Sequence, residues 1–496
     1  MEDQAPPDEA ELEVARTLRN KELKMYSIIR EIVVYLMYIF IIVVISYFSR
    51  DENAYRMRQT IQETFLENFE QIKTIDEFWS WAQGSLLDGL QPGQWYNSQA
   101  ADNIGPLVAD KISMLVGYAI LRQLRVKEGG CESPVPLLGL TCTSEYSWEI
   151  EEHGNYRPGW EDDNYNRSTD AGRLEYSYTQ SGEIESYPFE GIMAIYTGGG
   201  YVVHLDGNKE ELVQRMQQLQ HEGWLDRNTR AVVVEFSVYN AQVNLFSYAR
   251  FLLEVLPSGN MMPSYKISPV RLLSYYSSLD TLKLVCQVVY FGFLLYFMYR
   301  ELRELCRDRT KYFADIWNWI ELFVIAVSIA AIVAYFYKLV VTNSLLDDLA
   351  RANGRNSTYV NLQYVTGWNQ LYEYLVACLV YAATLKLFRL LRFNRRMSLL
   401  SSTIRHCSKE LTAFTIIIGV LLVSFSMLGY LVLGIHLKDF SSFVDAFETL
   451  VGTTMGYFEV DEIIAAKPFM GTIIFVTFTL SMAFVILNVF IGWDEY

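Results

Sequence analysis

A short stretch near the carboxyl end of the chain carries backbone oxygens that could coordinate a cation. It follows an apolar stripe with helical spacing, and the negative end of that helix dipole would favour a positive charge. Carbonyls beyond the helix could replace part of an ion's hydration shell, and a glycine would allow the bend that aims them. The candidate filter residues are Thr453, Thr454, Met455, Gly456 and Tyr457.

Three acidic residues follow on the side predicted to face outward, namely Glu459, Asp461 and Glu462. In a four-fold assembly they would form stacked rings that concentrate cations at the pore mouth. The alternative is an ordinary solvated acidic turn, and the sequence leaves both interpretations open.

Three cationic residues recur at every third position of an earlier apolar segment, namely Lys386, Arg389 and Arg392. On a helix this spacing winds positive charge around one side, and charges at membrane depth are costly and usually functional. One interpretation is a voltage-responsive helix, for which Asp315 and Glu321 could supply counter-charges. The other is a set of anchors whose long side chains reach the cytoplasmic surface, because two more arginines follow directly.

Six apolar segments are predicted to hold these residues in a membrane, and the basic loops between them are placed inside by the positive-inside rule. A half-length helix that starts at Ser442, with Asp445 as its capping partner, is followed by a bend and a full apolar run. That order is the pattern of a re-entrant pore loop. The predicted segments are a cytoplasmic stretch at 1–24, a first span at 25–49, an extracellular domain at 50–278, spans two to four with their linker at 279–410, and a pore domain at 411–496.

The expected fold class is a mainly α membrane protein with six transmembrane helices and a re-entrant pore loop. An α+β extracellular domain is inserted between the first and second spans. The chain has 496 residues and a net charge of −16, which disfavours a nucleic-acid partner. No nucleophile elbow, phosphate loop, zinc signature or EF-hand spacing occurs, so the sequence predicts no enzyme, no cofactor and no metal site.

Two cysteines stand alone in the inserted domain, Cys131 and Cys142. In an oxidising compartment they would form a disulfide, and the alternative is a pair of free thiols. Two glycosylation sequons, at Asn166 and Asn356, both fall on the predicted outer side.

The longest motifs resemble the polycystin family of TRP-type cation channels, from about residue 25 to residue 492. In the inserted domain the similar stretches are FWSWAQGSLLDGL at 78–90, LRQLRV at 121–126 and WLDRNTRAVVVEFSVYNAQVNLF at 224–246. In the membrane half they are YFADIWNWIEL at 312–322 and LKLFRLLRFNRRMSLLSSTI at 385–404.

This resemblance implies a homo- or heterotetramer with other polycystin subunits, whose outer domains cover a central pore. The implied permeants are monovalent cations and calcium, and the implied fold includes the Cys131–Cys142 disulfide. The implied location is the lipid bilayer of the plasma or ciliary membrane, or of the endoplasmic reticulum.

Two features depart from the family pattern. Many members carry Leu-Gly-Asp at the filter, where this chain has Met-Gly-Tyr, so the pore aspartate is missing and the ion preference is open. SRDENAY at 49–55 looks more like the polycystin-one-like branch, whose members assemble with a pore-forming partner and carry large amino-terminal regions. The alternative function is therefore a non-conducting receptor or assembly subunit, and the chain could be a fragment of a longer protein.

Overall fold

The structure is a computed structural model with two compact units, Met1–Leu387 and Phe388–Tyr496, and each is described by itself. The described residues are 9–92, 107–129, 143–162, 174–272, 278–314, 316–351, 359–391, 395–457 and 460–494.

The first unit combines long helices with an antiparallel sheet. Its helices are α1 (Glu9–Ser49), α2 (Glu52–Phe65), α3 (Ile75–Trp81), α4 (Leu87–Leu90), α5 (Lys209–His221), α6 (Ser278–Asp308), α7 (Ile316–Arg351) and α8 (Gln363–Leu391). The last of them, α8, ends just beyond the unit. Its strands are β1 (Met114–Leu115), β2 (Ala119–Arg125), β3 (Tyr156–Arg157), β4 (Glu161–Asp162), β5 (Tyr178–Thr179), β6 (Phe189–Glu190), β7 (Ile195–Tyr196), β8 (Gly200–Leu205), β9 (Thr229–Asn240), β10 (Leu245–Val255) and β11 (Met261–Val270).

The inserted domain is built on an antiparallel sheet with the strand order β11-β10-β9-β2-β8-β5, and β1 pairs with β9. Strands β9 and β10 are buried along nearly their whole length, because both faces of the sheet are covered. Val232 and Val234 belong to a core shared with Phe65 of α2, whereas Val233 packs with Phe189 on the opposite face. This alternation is the period-two arrangement of side chains along a strand whose two faces are both buried.

A buried ion pair crosses the middle of this sheet. The Arg122 guanidinium lies 2.8 Å from the Glu235 carboxylate, and neither side chain is exposed to solvent. Arg122 also donates hydrogen bonds to the Ser186 hydroxyl and the Gly198 carbonyl, and the Tyr248 hydroxyl donates to Glu235. Burial and the nearby carboxylate raise the pKa of Tyr248 well above its ordinary value, so this tyrosine remains a neutral donor.

Residues 359–363, which lead into α8, pack against the inserted domain. The Asn361 amide donates a hydrogen bond to the Glu185 carbonyl at 3.1 Å. The Gln363 side chain accepts from the Tyr187 backbone N–H at 3.2 Å and donates to the Tyr187 carbonyl at 3.3 Å. Leu362 is fully buried in a cluster with apolar residues of the sheet. Polar and apolar contacts together therefore attach the start of α8 to the outer domain.

Five helical segments of the described chain are long and apolar enough to cross a membrane, namely Arg16–Phe65, Thr281–Arg307, Trp317–Asp347, Thr412–Leu433 and Pro468–Val485. The predicted fourth span corresponds to α8, which is less apolar because it carries Glu373 and Lys386. Its 29 residues reach about 44 Å at ~1.5 Å per residue, more than the ~30 Å bilayer core. It packs into the helical bundle through Tyr372, which is buried in a cluster with Ala334 of α7.

The second unit contains the last long helices and the short helices between them. They are α9 (Arg395–Leu433), α10 (Phe443–Thr454), α11 (Val460–Ala466) and α12 (Pro468–Asp494). Helix α9 is continuous over 39 residues, so the linker predicted before span five is helical and runs directly into that span. Helices α11 and α12 approach closely, because a Cβ at Gly471 would lie 2.6 Å from the Ile463 carbonyl oxygen.

Candidate functional site: a capped pore helix and a buried charge network

The half-length helix α10 starts at the predicted cap. The Ser442 hydroxyl accepts a hydrogen bond from the Asp445 backbone N–H at 3.1 Å, which satisfies one of the free donors of the first turn. The Asp445 carboxylate accepts from the Ser441 hydroxyl at 3.4 Å, so a neighbouring serine replaces the reciprocal half of the predicted capping box. The helix ends at Thr454, where the sequence predicts its end.

Helix α10 packs beside the apolar segments of the two long helices next to it in the chain. Leu450 is buried in an apolar cluster with Leu422 of α9 and Phe478 of α12. Leu422 lies within the apolar segment Thr412–Leu433, and Phe478 lies within Pro468–Val485. The chain between the last two spans therefore enters the apolar layer and returns, as a re-entrant loop requires.

Gly456 closes the carboxyl end of α10. The Tyr457 N–H donates to the Gly452 carbonyl at 3.0 Å, and the Gly456 N–H donates to the Thr453 carbonyl at 3.1 Å. These paired bonds form a Schellman cap. Gly456 has a φ of +96°, which residues with a Cβ rarely adopt. The cap occupies the Thr453 carbonyl, whereas the carbonyls of Met455, Gly456 and Tyr457 accept no hydrogen bond within the described residues.

The side chains of the predicted filter divide into two groups. The hydroxyls of Thr453 and Thr454 donate to carbonyls of their own helix at 2.8 and 2.7 Å. Met455 and Tyr457 are 73% and 79% exposed in the single chain. The parts of this stretch that remain open to a ligand or a neighbouring subunit are therefore its last carbonyls and these two side chains.

Asp461 and Glu462 are exposed in the first turn of α11. The sequence predicts an acidic segment here but not a helix. Carboxylates in a first turn are stabilised by the helix dipole, so this position explains them without a permeating ion. Glu459 lies outside the described residues.

Lys386 lies in a buried charge network within the first unit. Its ammonium is 3.0 Å from one oxygen of Glu321 in α7, and the other oxygen of Glu321 is 3.0 Å from the Arg300 guanidinium of α6. The rings of Tyr35 and Phe297 lie 4.7 and 5.4 Å from the ammonium. The side chains of Lys386 and Glu321 are 9% and 5% exposed, so the pair is shielded from water. Glu321 is thus a counter-charge that the sequence indicated.

Four further members of this charge network escape the sequence-based prediction, namely Glu31, Arg300, Glu301 and Tyr312. Glu301 accepts a hydrogen bond from the Tyr312 hydroxyl at 2.8 Å and lies 3.1 Å from Arg300. Arg300 also lies 3.2 Å from Glu31 of α1. From sequence, Arg300 is only one of several basic residues after the second span. The useful signal is the adjacent Arg-Glu pair at the end of an apolar run, where each charge requires a partner.

Several predicted site residues cannot be placed in this way. Arg389 lies in α8, but its side chain is outside the described part. Among the described residues, no group of three or more His, Cys, Asp or Glu side chains is arranged to hold a metal ion. The predictions for the following residues, which lie outside the described ranges, stay predictions: Arg392, Asp315, Cys131, Cys142, Asn166 and Asn356.

Two family models match adjoining parts of the chain. The polycystin domain model matches residues 68–273, and the polycystin cation channel model matches residues 274–493. Their junction falls between the end of β11 and the start of α6.

Curated relatives match nearly the whole chain. Polycystin-2-like protein 1 of Homo sapiens is 30% identical over 96% of this chain and 58% of its own length. Polycystin-2 of Danio rerio is 29% identical over 95% of this chain and 52% of its own length. Polycystin-1-like protein 3 of Mus musculus is 26% identical over 92% of this chain and 20% of its own length. The chain thus spans little more than half of these polycystin-2 relatives, and the identities do not support the expected likeness to the polycystin-one-like branch.

The fold and the site define a multi-pass membrane protein with the helix arrangement of a TRP-type channel and an inserted α+β domain. Within that class, the chain belongs to the polycystin family. The expected fold class and family are confirmed. Polycystins are ion channels, which also confirms the expectation that the chain is not an enzyme.

Proposed function

We propose that this chain is a subunit of a non-selective, calcium-permeable cation channel, with its permeation path along Thr453, Thr454, Met455, Gly456 and Tyr457. The observation that carries the proposal is α10, a half-length helix that packs against two spans through Leu450 and is ended by a glycine cap. Its negative end, and the carbonyls beyond the cap, both favour a partly dehydrated cation.

A closed path requires several subunits, because one chain contributes a single pore helix. We infer a homo- or heterotetramer with other polycystin subunits. In that assembly Glu459, Asp461 and Glu462 of each subunit would surround the outer entrance and raise the local concentration of monovalent cations and calcium.

Lys386, Arg389 and Arg392 are the proposed gating charges. The support for this role is the buried pair between Lys386 and Glu321, since a shift of α8 along its axis would exchange the partners of each cation. Moving one elementary charge across the membrane field contributes about 2.3 kcal/mol per 100 mV.

The inserted domain is proposed to face the lumen or the outside of a plasma, ciliary or endoplasmic reticulum membrane. There Cys131 and Cys142 would form a disulfide, and Asn166 and Asn356 would carry glycans. Non-reducing peptide mapping of the purified chain and a glycosidase mobility shift test these two modifications separately.

Gly456→Ala tests the permeation path. A residue with a Cβ at φ +96° is strained by about 1–2 kcal/mol. Among the described residues other than its chain neighbours, no heavy atom lies within 4 Å of the Cβ position, so a steric clash with them does not complicate the result. We expect smaller currents or an altered calcium-to-sodium permeability ratio at unchanged surface abundance. Gly452→Ala is the matched control, because Gly452 lies within α10 and its Cβ would make only ordinary van der Waals contacts, with Tyr457 at 3.8 and 3.9 Å.

A non-conducting receptor or assembly subunit is the rival function, and the Met-Gly-Tyr filter favours it. Currents from the chain expressed alone, altered by Gly456→Ala and not by Gly452→Ala, would support conduction. Silence alone, together with unchanged currents when Gly456→Ala is co-expressed with a pore-forming polycystin, would refute a permeation role for this stretch.

A further inference from the structure

A cavity of about 820 Å³ lies within the first unit, between the inserted domain and the start of α8. One face of the sheet forms its floor, with Arg250 of β10 and Lys266 of β11. The segment around β6 and the first turns of α8 form its walls. Ligand sites in proteins have volumes of about 300–1,000 Å³, so this cavity is large enough for a small molecule. Among the described residues, none from the charge network or from α10 lines it.

Two cations lie next to each other on the floor of the cavity. Arg250 and Lys266 are direct cross-strand partners, so their side chains leave the sheet on the same face. Like charges directly opposite each other on a sheet are destabilising. Burial and the neighbouring Arg250 lower the pKa of Lys266, and the Glu190 carboxylate offsets only part of this shift. An anion bound between the two cations would therefore lower the free energy of this face.

The Arg250 side chain has no polar partner in the described part of the protein. It is 8% exposed, and its guanidinium lies 4.4 Å from the centre of the Phe189 ring. Within the described ranges this guanidinium makes no hydrogen bond and no ion pair, and the same holds for the Lys266 ammonium. A ring face attracts a cation but leaves most of the five N–H donors of a guanidinium unused. A buried arginine that lines a cavity in this state has donors available for a ligand.

The carboxylates on this face of the sheet do not neutralise the two cations. Glu235 lies opposite Arg250 on β9, but it is ion-paired with Arg122 at 2.8 Å. Glu254 accepts from two backbone N–H groups of the β6–β7 loop at 2.7 and 2.8 Å. Glu190 is exposed and is the one carboxylate in the lining, as far as the structure describes it. Two cations and one carboxylate leave that lining with one excess positive charge.

The rest of the lining is mainly aromatic and apolar. Tyr187 belongs to it, and the buried hydroxyl of this tyrosine makes no hydrogen bond within the described residues. Leu371 of α8 also lines the cavity. The next residue, Tyr372, packs with Ala334, which belongs to the apolar segment Trp317–Asp347. The cavity therefore extends from a charged floor to the point where the apolar part of the bundle begins.

We propose that this cavity binds a phosphate group, with Arg250 and Lys266 as its two cationic partners. A phosphate has enough acceptor oxygens to bond with both cations at once, and a guanidinium can offer it two parallel N–H donors. The Ser264 hydroxyl lines the cavity on the same face of β11 and can add a third donor. The phosphate can belong to a soluble ester or, because the cavity extends to the apolar part of the bundle, to a phospholipid headgroup. The site does not depend on whether the chain conducts ions.

Equilibrium binding to the full chain in nanodiscs tests the site with two radiolabelled probes, glycerol 3-phosphate and dioctanoyl phosphatidic acid. Binding of glycerol 3-phosphate would assign a soluble ester and binding of the lipid alone would assign a headgroup, and either result supports the phosphate site. We expect Arg250→Gln to weaken binding about tenfold, equivalent to ~1.4 kcal/mol. Lys266→Gln should weaken it less, because Lys266 is exposed. Arg250→Lys keeps the charge and should retain part of the affinity, which separates loss of binding from loss of folding.

Lys73→Gln is the control for charge, because it removes an exposed cation of the inserted domain outside the cavity. It should leave the affinity unchanged. A matched pair of glycine variants tests the cavity itself. A Cβ at Gly367 or at Gly292 would meet no described atom within 4 Å beyond its own stretch of helix, but only Gly367 lines the cavity. Gly367→Phe should therefore reduce binding, and Gly292→Phe should not.

Three results would overturn the proposal. The first is that neither probe binds, or that the wild type and the Arg250→Gln/Lys266→Gln variant bind equally well. The second is an equal loss of affinity in Lys73→Gln, which would show attraction by the net charge of the surface only. The third is equal affinity for glycerate or for dioctanoylglycerol, which carry a carboxylate or no charge where the probes carry a phosphate.

Discussion

Replacing Glu321 with glutamine should uncouple three helices at once. The Glu321 side chain is 5% exposed and bridges Lys386 of α8 and Arg300 of α6, each at 3.0 Å. The substitution removes the counter-charge of the buried Lys386 and one of the three carboxylates that lie near the half-buried Arg300. Breaking a buried ion pair by removing one partner costs about 3–5 kcal/mol, and we expect a loss of stability in this range.

The reverse substitution, Lys386→Gln, should cost less, because Glu321 keeps Arg300 as a partner. The main losses are one ion pair and the contact with the Tyr35 ring, together about 1–2 kcal/mol. The loss of stability in the double variant should be closer to the loss in Lys386→Gln than to the sum of the two single losses. The amount by which the loss in the double variant falls short of that sum is a coupling energy of about 2–3 kcal/mol.

The assay is thermal unfolding of the full chain in detergent, followed by fluorescence-detected size-exclusion chromatography. At about 2–4 °C per kcal/mol, Glu321→Gln should lower the apparent Tm by roughly 10 °C. Glu67→Gln changes an exposed carboxylate of the inserted domain and should have little effect. Small and additive effects of Glu321→Gln and Lys386→Gln, each below about 1 kcal/mol, would refute the buried network.

Three further substitutions test other parts of the chain. Arg122→Met should destabilise the inserted domain by about 3–5 kcal/mol because Glu235 loses its partner, and Arg122→Met/Glu235→Leu should recover much of that loss in limited proteolysis. Cys131→Ser should lower stability by about 2–5 kcal/mol if it removes a bridge to Cys142, and an unchanged peptide mass on reduction of the wild type would argue against the bridge. Burial lowers the pKa of His204 below its ordinary value of 6.5, so the unfolded state binds the proton more readily. Its contribution to stability is present above pH 6.5 and is lost as the pH falls towards the lower folded-state pKa; His204→Gln should flatten this acid slope in urea unfolding.

Local patterns in the sequence are sufficient to predict elements that bury one face. The cap at Ser442, with the apolar stripe after it, predicts both ends of α10. The continuity of α9 and the short helix α11 were missed, because polar composition alone does not separate a helical linker from a loop. The role of Gly456 as a cap follows from its φ, which no residue pattern states directly.

The charge network was predicted only in part, for a physical reason. Glu321 and Lys386 lie within apolar runs. A charged side chain there is costly to desolvate, so it indicates a functional group with a partner. Arg300, Glu301 and Tyr312 lie at the ends of such runs, where solvated charges are ordinary. Only the packing of α1, α6 and α7 shows that these groups meet, and that packing is set by contacts between distant parts of the chain.

The attachment of Asn361 and Gln363 to the inserted domain has a mechanical consequence. Asn361 and Gln363 hold the first turn of α8 against a sheet whose central strands are covered on both faces, and such a body resists local bending. Any sliding of α8 along its own axis must therefore break these hydrogen bonds or move the inserted domain with it. Lys386 lies about six turns further along the same helix, at ~3.6 residues per turn. A force on that lysine and a force on the inserted domain would therefore act on opposite ends of the same helix.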